Sequence, residues 1–152
     1  MKHKHPVYLL FTIITALSFG IVATTHWAFA HKKPHDAETL AAFNEVFMQQ
    51  VKIGDLLFHG DPETEKAMGV ILSKTGMSCA MCHPNAADTH PYEYPKFQEQ
   101  INEFATLRDM TNWCIEKPNE GEKIDVDSEA MKALEAYMYY SNRNSPLAPG
   151  TH

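Results

Sequence analysis

The five residues Cys79-Ala80-Met81-Cys82-His83 constrain this chain more than any other stretch. Two cysteines separated by two residues and followed at once by histidine form the attachment signature of c-type haem. One turn of backbone sets two sulfurs against the two porphyrin vinyl groups and swings the next side chain under the iron. A chain built on this turn must fold around a rigid, largely apolar disc. A CxxC pair has two rival readings. A zinc site needs further ligands, and no second cysteine pair exists to complete one. A thioredoxin-like redox motif needs a βαβ setting, which is missing around these residues. The expected cofactor is therefore one covalent haem c, bonded through Cys79 and Cys82, with His83 as an axial ligand to iron.

The first thirty residues are unlike the rest. Lys2, His3, Lys4 and His5 make a basic start, Val7 to Ala23 is apolar and uncharged, and Ala28-Phe29-Ala30 is a small-residue cleavage site. That order predicts a secretory signal peptide over residues 1–30. The competing reading is an uncleaved anchor, since the apolar run approaches spanning length. Export to the periplasm agrees with a c-type haem, which Gram-negative bacteria attach outside the cytoplasm. The alternative location is membrane-anchored, facing the periplasm, and membrane contact is expected only in that case. Cleavage after Ala30 leaves 122 residues with 11 basic against 19 acidic side chains, a net −8 compared with −6 for the whole chain. Such a charge disfavours nucleic acid and favours redox partner proteins with a basic docking surface.

Residues 31–152 read as one mostly α-helical domain. Asp36 is suited to cap a helix in which Leu40, Phe43, Phe47 and Val51 recur at helical spacing up to about Phe58. Gly54 with Leu57-Phe58 resembles the N-terminal helix of cytochromes c, where a glycine lets another helix approach closely. His59-Gly60-Asp61-Pro62 breaks the pattern, and Glu63 to Lys74 reads as a short helix ending at Thr75-Gly76. Pro84 to Pro95, with three prolines, reads as a loop packed over the cofactor. From Lys96 to about Lys117 helical periodicity is expected again, with Phe97, Ile101, Phe104, Leu107, Met110 or Thr111, and Cys114 along one side. Pro118-Asn119-Glu120-Gly121 ends that helix. Asp127 or Ser128 caps the last one, whose inner face is Met131, Leu134, Tyr137 and Met138. From about Asn142 the tail is expected to be an extended arm, and strand signals are nearly absent.

The sixth ligand to iron decides the redox character. The candidates are Cys114, Met110, Met131, Met138, His59 and His90. Methionine gives a higher-potential carrier, a second histidine lowers the potential, and a thiolate lowers it further because its charge favours ferric iron. Three cysteines are an odd number. If two become thioethers, Cys114 has no partner for a disulfide within the chain. It is then a buried inert thiol or a ligand.

The segment from Leu107 to Tyr137 resembles the C-terminal part of the haem domains in SoxA-type sulfur-oxidation cytochromes and thiosulfate dehydrogenases. The shared pattern is an N-x-C context, a polar loop with glycine, an acidic or serine cap, a methionine, and a helix ending in A-Y. Here it is supplied by Asn112-Trp113-Cys114, Gly121, Asp127-Ser128, Met131 and Ala136-Tyr137. The resemblance covers roughly residues 52–140. In those families the cysteine is the distal haem ligand, so the resemblance implies His83/Cys114 ligation in a single class I-like cytochrome c domain. Two features depart from the pattern. Thiosulfate dehydrogenases carry two haem motifs and this chain has one. Family members often have an arginine four residues before the cysteine, where this chain has Met110; the nearest arginine is Arg108.

The function expected from these readings is an exported monohaem c-type cytochrome that transfers one electron, at low potential if His/Cys ligated, with no catalytic residues of its own. The alternatives are a catalytic haem subunit of thiosulfate oxidation and a structural haem subunit of a larger complex. Lys96 and Lys117 are the other cations near enough in sequence to meet an anion.

Overall fold

The computed structural model describes residues 35–151. Contacts divide the chain at Asp36, and the architecture below is that of the unit from Ala37 onward. The expected leader and its cleavage site lie outside the described residues.

Helix α1 (Ala37–Phe58) begins directly after Asp36. Only its second half is embedded, through Val51, Gly54, Leu57 and Phe58. The long last helix, α5 (Glu129–Ser141), runs alongside it. Ser128 caps α5 by accepting from the Met131 N–H, and Met131, Leu134, Tyr137 and Met138 are buried as their spacing predicts. The two helices meet at Gly54, where a Cβ would run into the Ala133 carbonyl and the Tyr137 side chain. The early glycine thus does what such a glycine does in a helix crossing: it removes the side chain that would hold two backbones apart. Phe47 meets the Tyr140 ring near the end of α5, with centroids 6.2 Å apart. Leu40 and Val46, in the turns of α1 before Phe47, are exposed.

Two expected helices are shorter than their patterns. Helix α2 (Pro62–Met68) is capped by Asp61 and stops at Gly69, not at Lys74. Gly69 adopts the left-handed conformation (φ 66°) that only glycine enters freely, and the Val70 N–H closes back on Glu65. The stretch after it is extended and is clamped to the loop following Cys114's helix. Glu122 donates its N–H to the Ile71 carbonyl and Lys74 donates to Asn119. At Gly121 a Cβ would strike the Ile71 and Leu72 carbonyls.

The expected helix from Lys96 is instead a hairpin. Strands β1 (Lys96–Gln98) and β2 (Glu103–Ala105) pair antiparallel, with Phe97 opposite Phe104. Lys96 and Ala105 face inward, whereas Phe97 and Phe104 face solvent. The helix proper, α4 (Leu107–Glu116), starts at a capping box in which Thr106 and Asp109 exchange hydrogen bonds. The box terminates the extended backbone more decisively than the apolar spacing sustains a helix through it. The tail also departs from an extended arm, because Ala148 and Gly150 donate to the Tyr92 and Glu93 carbonyls.

Among the described residues, no helix is long and apolar enough to cross a membrane.

Candidate haem site

The CxxC residues form a single helical turn, α3 (Cys79–Cys82), entered from Ser78 and left at His83. The chain then twists sharply. Asn85, Ala86, Asp88 and His90 all have positive φ, a run that a loop sustains only when held from outside. The holding group is Asn142 at the end of α5, whose amide donates to the Ala86 and Met138 carbonyls and to the Thr89 hydroxyl. Within this loop the His83 Nδ1 lies 2.9 Å from the Ala87 carbonyl. A carbonyl can only accept, so Nδ1 carries the proton and Nε2 keeps its lone pair for a metal.

A cavity of ≈ 400 Å³ opens beside this turn. Cys79 and His83 contribute to one part of its lining, and Met110, Thr111 and Cys114 of α4 to another. Leu107, Met110, Thr111 and Cys114 recur at three- and four-residue steps, which puts them on one helix face. Phe58 and Met138 bring in α1 and α5. Asp88, Thr89, Tyr94, Gln98 and Gln100 also border a neighbouring cavity of ≈ 260 Å³, so the polar groups share one wall. An apolar slot with one polar wall suits a flat cofactor with an apolar ring and carboxylate arms, and the volume is that of a cofactor site. The residues present therefore fit haem.

The other sixth-ligand candidates separate clearly. Met110 and Met138 line the same cavity as Cys114. Met131 is wholly buried in the helix core and does not line it. His59 borders a different cavity and pairs with Asp55 at 2.9 Å. His90 is turned to Glu93 at 3.1 Å.

The three thiols feel one another. Burial pushes the Cys79 thiol up to about 12, with Cys114 adding to it. Burial pushes Cys114 up to about 11, and Cys82 adds. As bare thiols both are neutral and unreactive at pH 7, so a cation would be needed to draw off the Cys114 proton. Tyr94 is also held up at about 12, by burial and then by Cys114, and remains a neutral phenol.

The cations are already engaged. Arg108 grips Glu135 through Nε and Nη2 at 3.1 and 2.8 Å, and the Val126 carbonyl and Asp127 through Nη1. Buried Lys96 is 2.7 Å from Glu93, and Lys117 pairs with Glu116. Among the described residues, no lysine or arginine lines the cavity. Tyr94 belongs to the Pro84 to Pro95 loop that the sequence reads as packed over the cofactor, and it lines the cavity. Trp113 carries no signal beyond its place next to Cys114, and Gln98 lies in the stretch that reads as helical and is instead strand β1.

A CxxCH turn at a haem-sized apolar cavity within a helical frame defines a c-type cytochrome domain. The sequence profile of the SoxA/TsdA cytochrome c domain matches residues 70–147, half of the chain, and the protein belongs to that family. A thiosulfate dehydrogenase of Psychrobacter arcticus is 24% identical over 79 residues, covering 47% of this chain and 24% of that protein. The chain thus matches about a quarter of that relative's length.

Proposed function

We propose that this protein is an exported class I-like cytochrome c carrying one haem, that it transfers single electrons, and that its iron is ligated by His83 and Cys114. Cys79 and Cys82 form the thioethers. The observation that carries the reading is that His83 and Cys114, from separate elements, line one haem-sized cavity with Cys79. When bound, the haem iron supplies the one-electron couple. The chain's own residues set its conditions. The Ala87 carbonyl fixes the His83 ring, α4 carries Cys114, and Phe58, Leu107, Trp113 and Met138 would shield a bound haem from water. Thiolate ligation stabilises ferric iron, so the potential is low.

Turnover of a sulfur oxyanion is the weaker alternative. Such a substrate is an anion, and among the described residues the cavity lining offers it no lysine or arginine and includes the carboxylate of Asp88. Arg108 is committed to Glu135 and Asp127.

Electron paramagnetic resonance of the holoprotein beside Cys114→Ala and Cys114→Met tests the ligation. The wild type should give a low-spin thiolate signal that both variants lose, with the potential rising in Cys114→Met. An unchanged spectrum and potential in both would exclude Cys114. Reduction of the protein by thiosulfate at catalytic rates would overturn the carrier assignment.

A further inference from the structure

We propose that the solvent face of the β1–β2 hairpin, with the groove between it and α4, is the docking surface for a basic one-electron carrier protein. The inference rests on the carrier reading above. Phe97 and Phe104 stand directly opposite each other across the hairpin, 54% and 72% exposed. Two aromatic rings side by side in water form an apolar patch of the kind that anchors protein interfaces. Beside Phe104 lies a groove of ≈ 430 Å³ bordered by Ile101, Trp113 and the start of α4.

Trp113 joins this surface to the redox centre. It lines both the outer groove and the haem cavity. The Trp113 side chain is thus shared by the docking groove and the cofactor space, which keeps the path between them short, and electron transfer weakens steeply with distance. The electron would leave this protein's ferrous haem and reduce the partner's ferric haem, with no bond or proton moved.

The rim defines the partner's charge. Glu103 and Asp109 line the groove and Glu99 lies on the hairpin turn. The Asp109 carboxylate accepts from uncharged donors of Thr106 and so keeps its charge. Among the described lining residues, Lys123 is the cation, and it is already 3.3 Å from Glu116. An apolar centre with an acidic rim complements an apolar patch ringed by lysines. A second exposed groove, near Ile71 and Met81, is bordered by both Glu65 and Lys66 and selects neither sign.

Stopped-flow oxidation of the dithionite-reduced holoprotein tests this, with mitochondrial cytochrome c as the basic probe and hexaammineruthenium(III) as the small-molecule control. The Phe97→Ser/Phe104→Ser double variant should slow oxidation by cytochrome c about tenfold. Its reaction with the ruthenium complex should stay at the wild-type rate. Glu103→Lys, which leaves the aromatic pair intact, should slow the cytochrome reaction at low salt and converge on wild type at high salt. Ile71→Ser should change nothing. Wild-type rates with cytochrome c in both the double variant and Glu103→Lys would overturn the proposal, as would slowing by Ile71→Ser alone. Failure of the wild type to exchange electrons even with the ruthenium complex would instead sink the carrier reading. A dimer of the wild type that the double variant abolishes would assign the patch to self-association.

Discussion

At the residue scale, two side-chain positions hold the frame around the haem cavity. Gly54 is a point where α1 and α5 pack closely, and a methyl group there would overlap the Ala133 carbonyl. Backbone cannot yield as a flexible side chain can, so Gly54→Ala is expected to cost about 1–3 kcal/mol. Denaturant unfolding of the holoprotein measures it, as a lower midpoint. Asn112 is the second. Its side chain is buried and makes a closed pair with Ile124, donating to the carbonyl and accepting from the N–H, both at 2.9 Å. Asn112→Ala leaves both backbone groups of Ile124 without that partner, and about 1–3 kcal/mol of stability is expected to be lost. The same unfolding experiment reads it. The two residues differ in how they showed themselves in the sequence. Gly54 stood inside an apolar helical repeat, where a glycine has few reasons to be other than close approach. Asn112 was legible only as a letter in the N-x-C pattern. Its partner is twelve residues on, in a loop whose position depends on the finished fold.

At the element scale, the two long helices followed from spacing because apolar residues recur over three or more turns of each, which gives a clear period, although α1 buries only the later part of its stripe and leaves Leu40, Phe43 and Phe47 exposed. The hairpin did not. Phe97, Ile101 and Phe104 are three and four apart, as on a helix, yet three-residue strands are too short to display an alternation. The signal that could have decided was Thr106 with Asp109 three residues later, a helix start in the middle of the expected helix. That box also carries a pH prediction. The Thr106 hydroxyl, and then its backbone N–H, hold the Asp109 carboxyl below its ordinary value of 3.8. A depressed folded-state value means that the box stabilises the fold fully above the unfolded value and loses its contribution as pH falls through the folded one. The melting temperature of wild type should therefore drop more steeply below about pH 4 than that of Asp109→Ala, with the two curves converging in acid. Parallel curves would show that the box contributes nothing to acid sensitivity.

At the scale of the whole molecule, the cavity is assembled by long-range ties. Asn142 holds the loop after His83, the 119–122 loop holds the stretch before Cys79, and Arg108 fastens α4 to α5. None of these ties is local, which is why the sequence indicated the cofactor motif and Cys114 but not the cavity between them. The cofactor's attachment has its own test, which also reaches the expected leader, residues 1–30. Thioethers form outside the cytoplasm, so the full chain expressed with a c-type maturation system should appear in the periplasm. Its mass should be that of residues 31–152 plus one haem, and the haem should stay with the polypeptide on a denaturing gel. Cys79→Ala/Cys82→Ala should release the haem under the same conditions. Retention of residues 1–30 with the protein in the membrane fraction would make that segment an anchor. A mass with two haems would contradict the single CxxCH motif as the whole of the attachment chemistry.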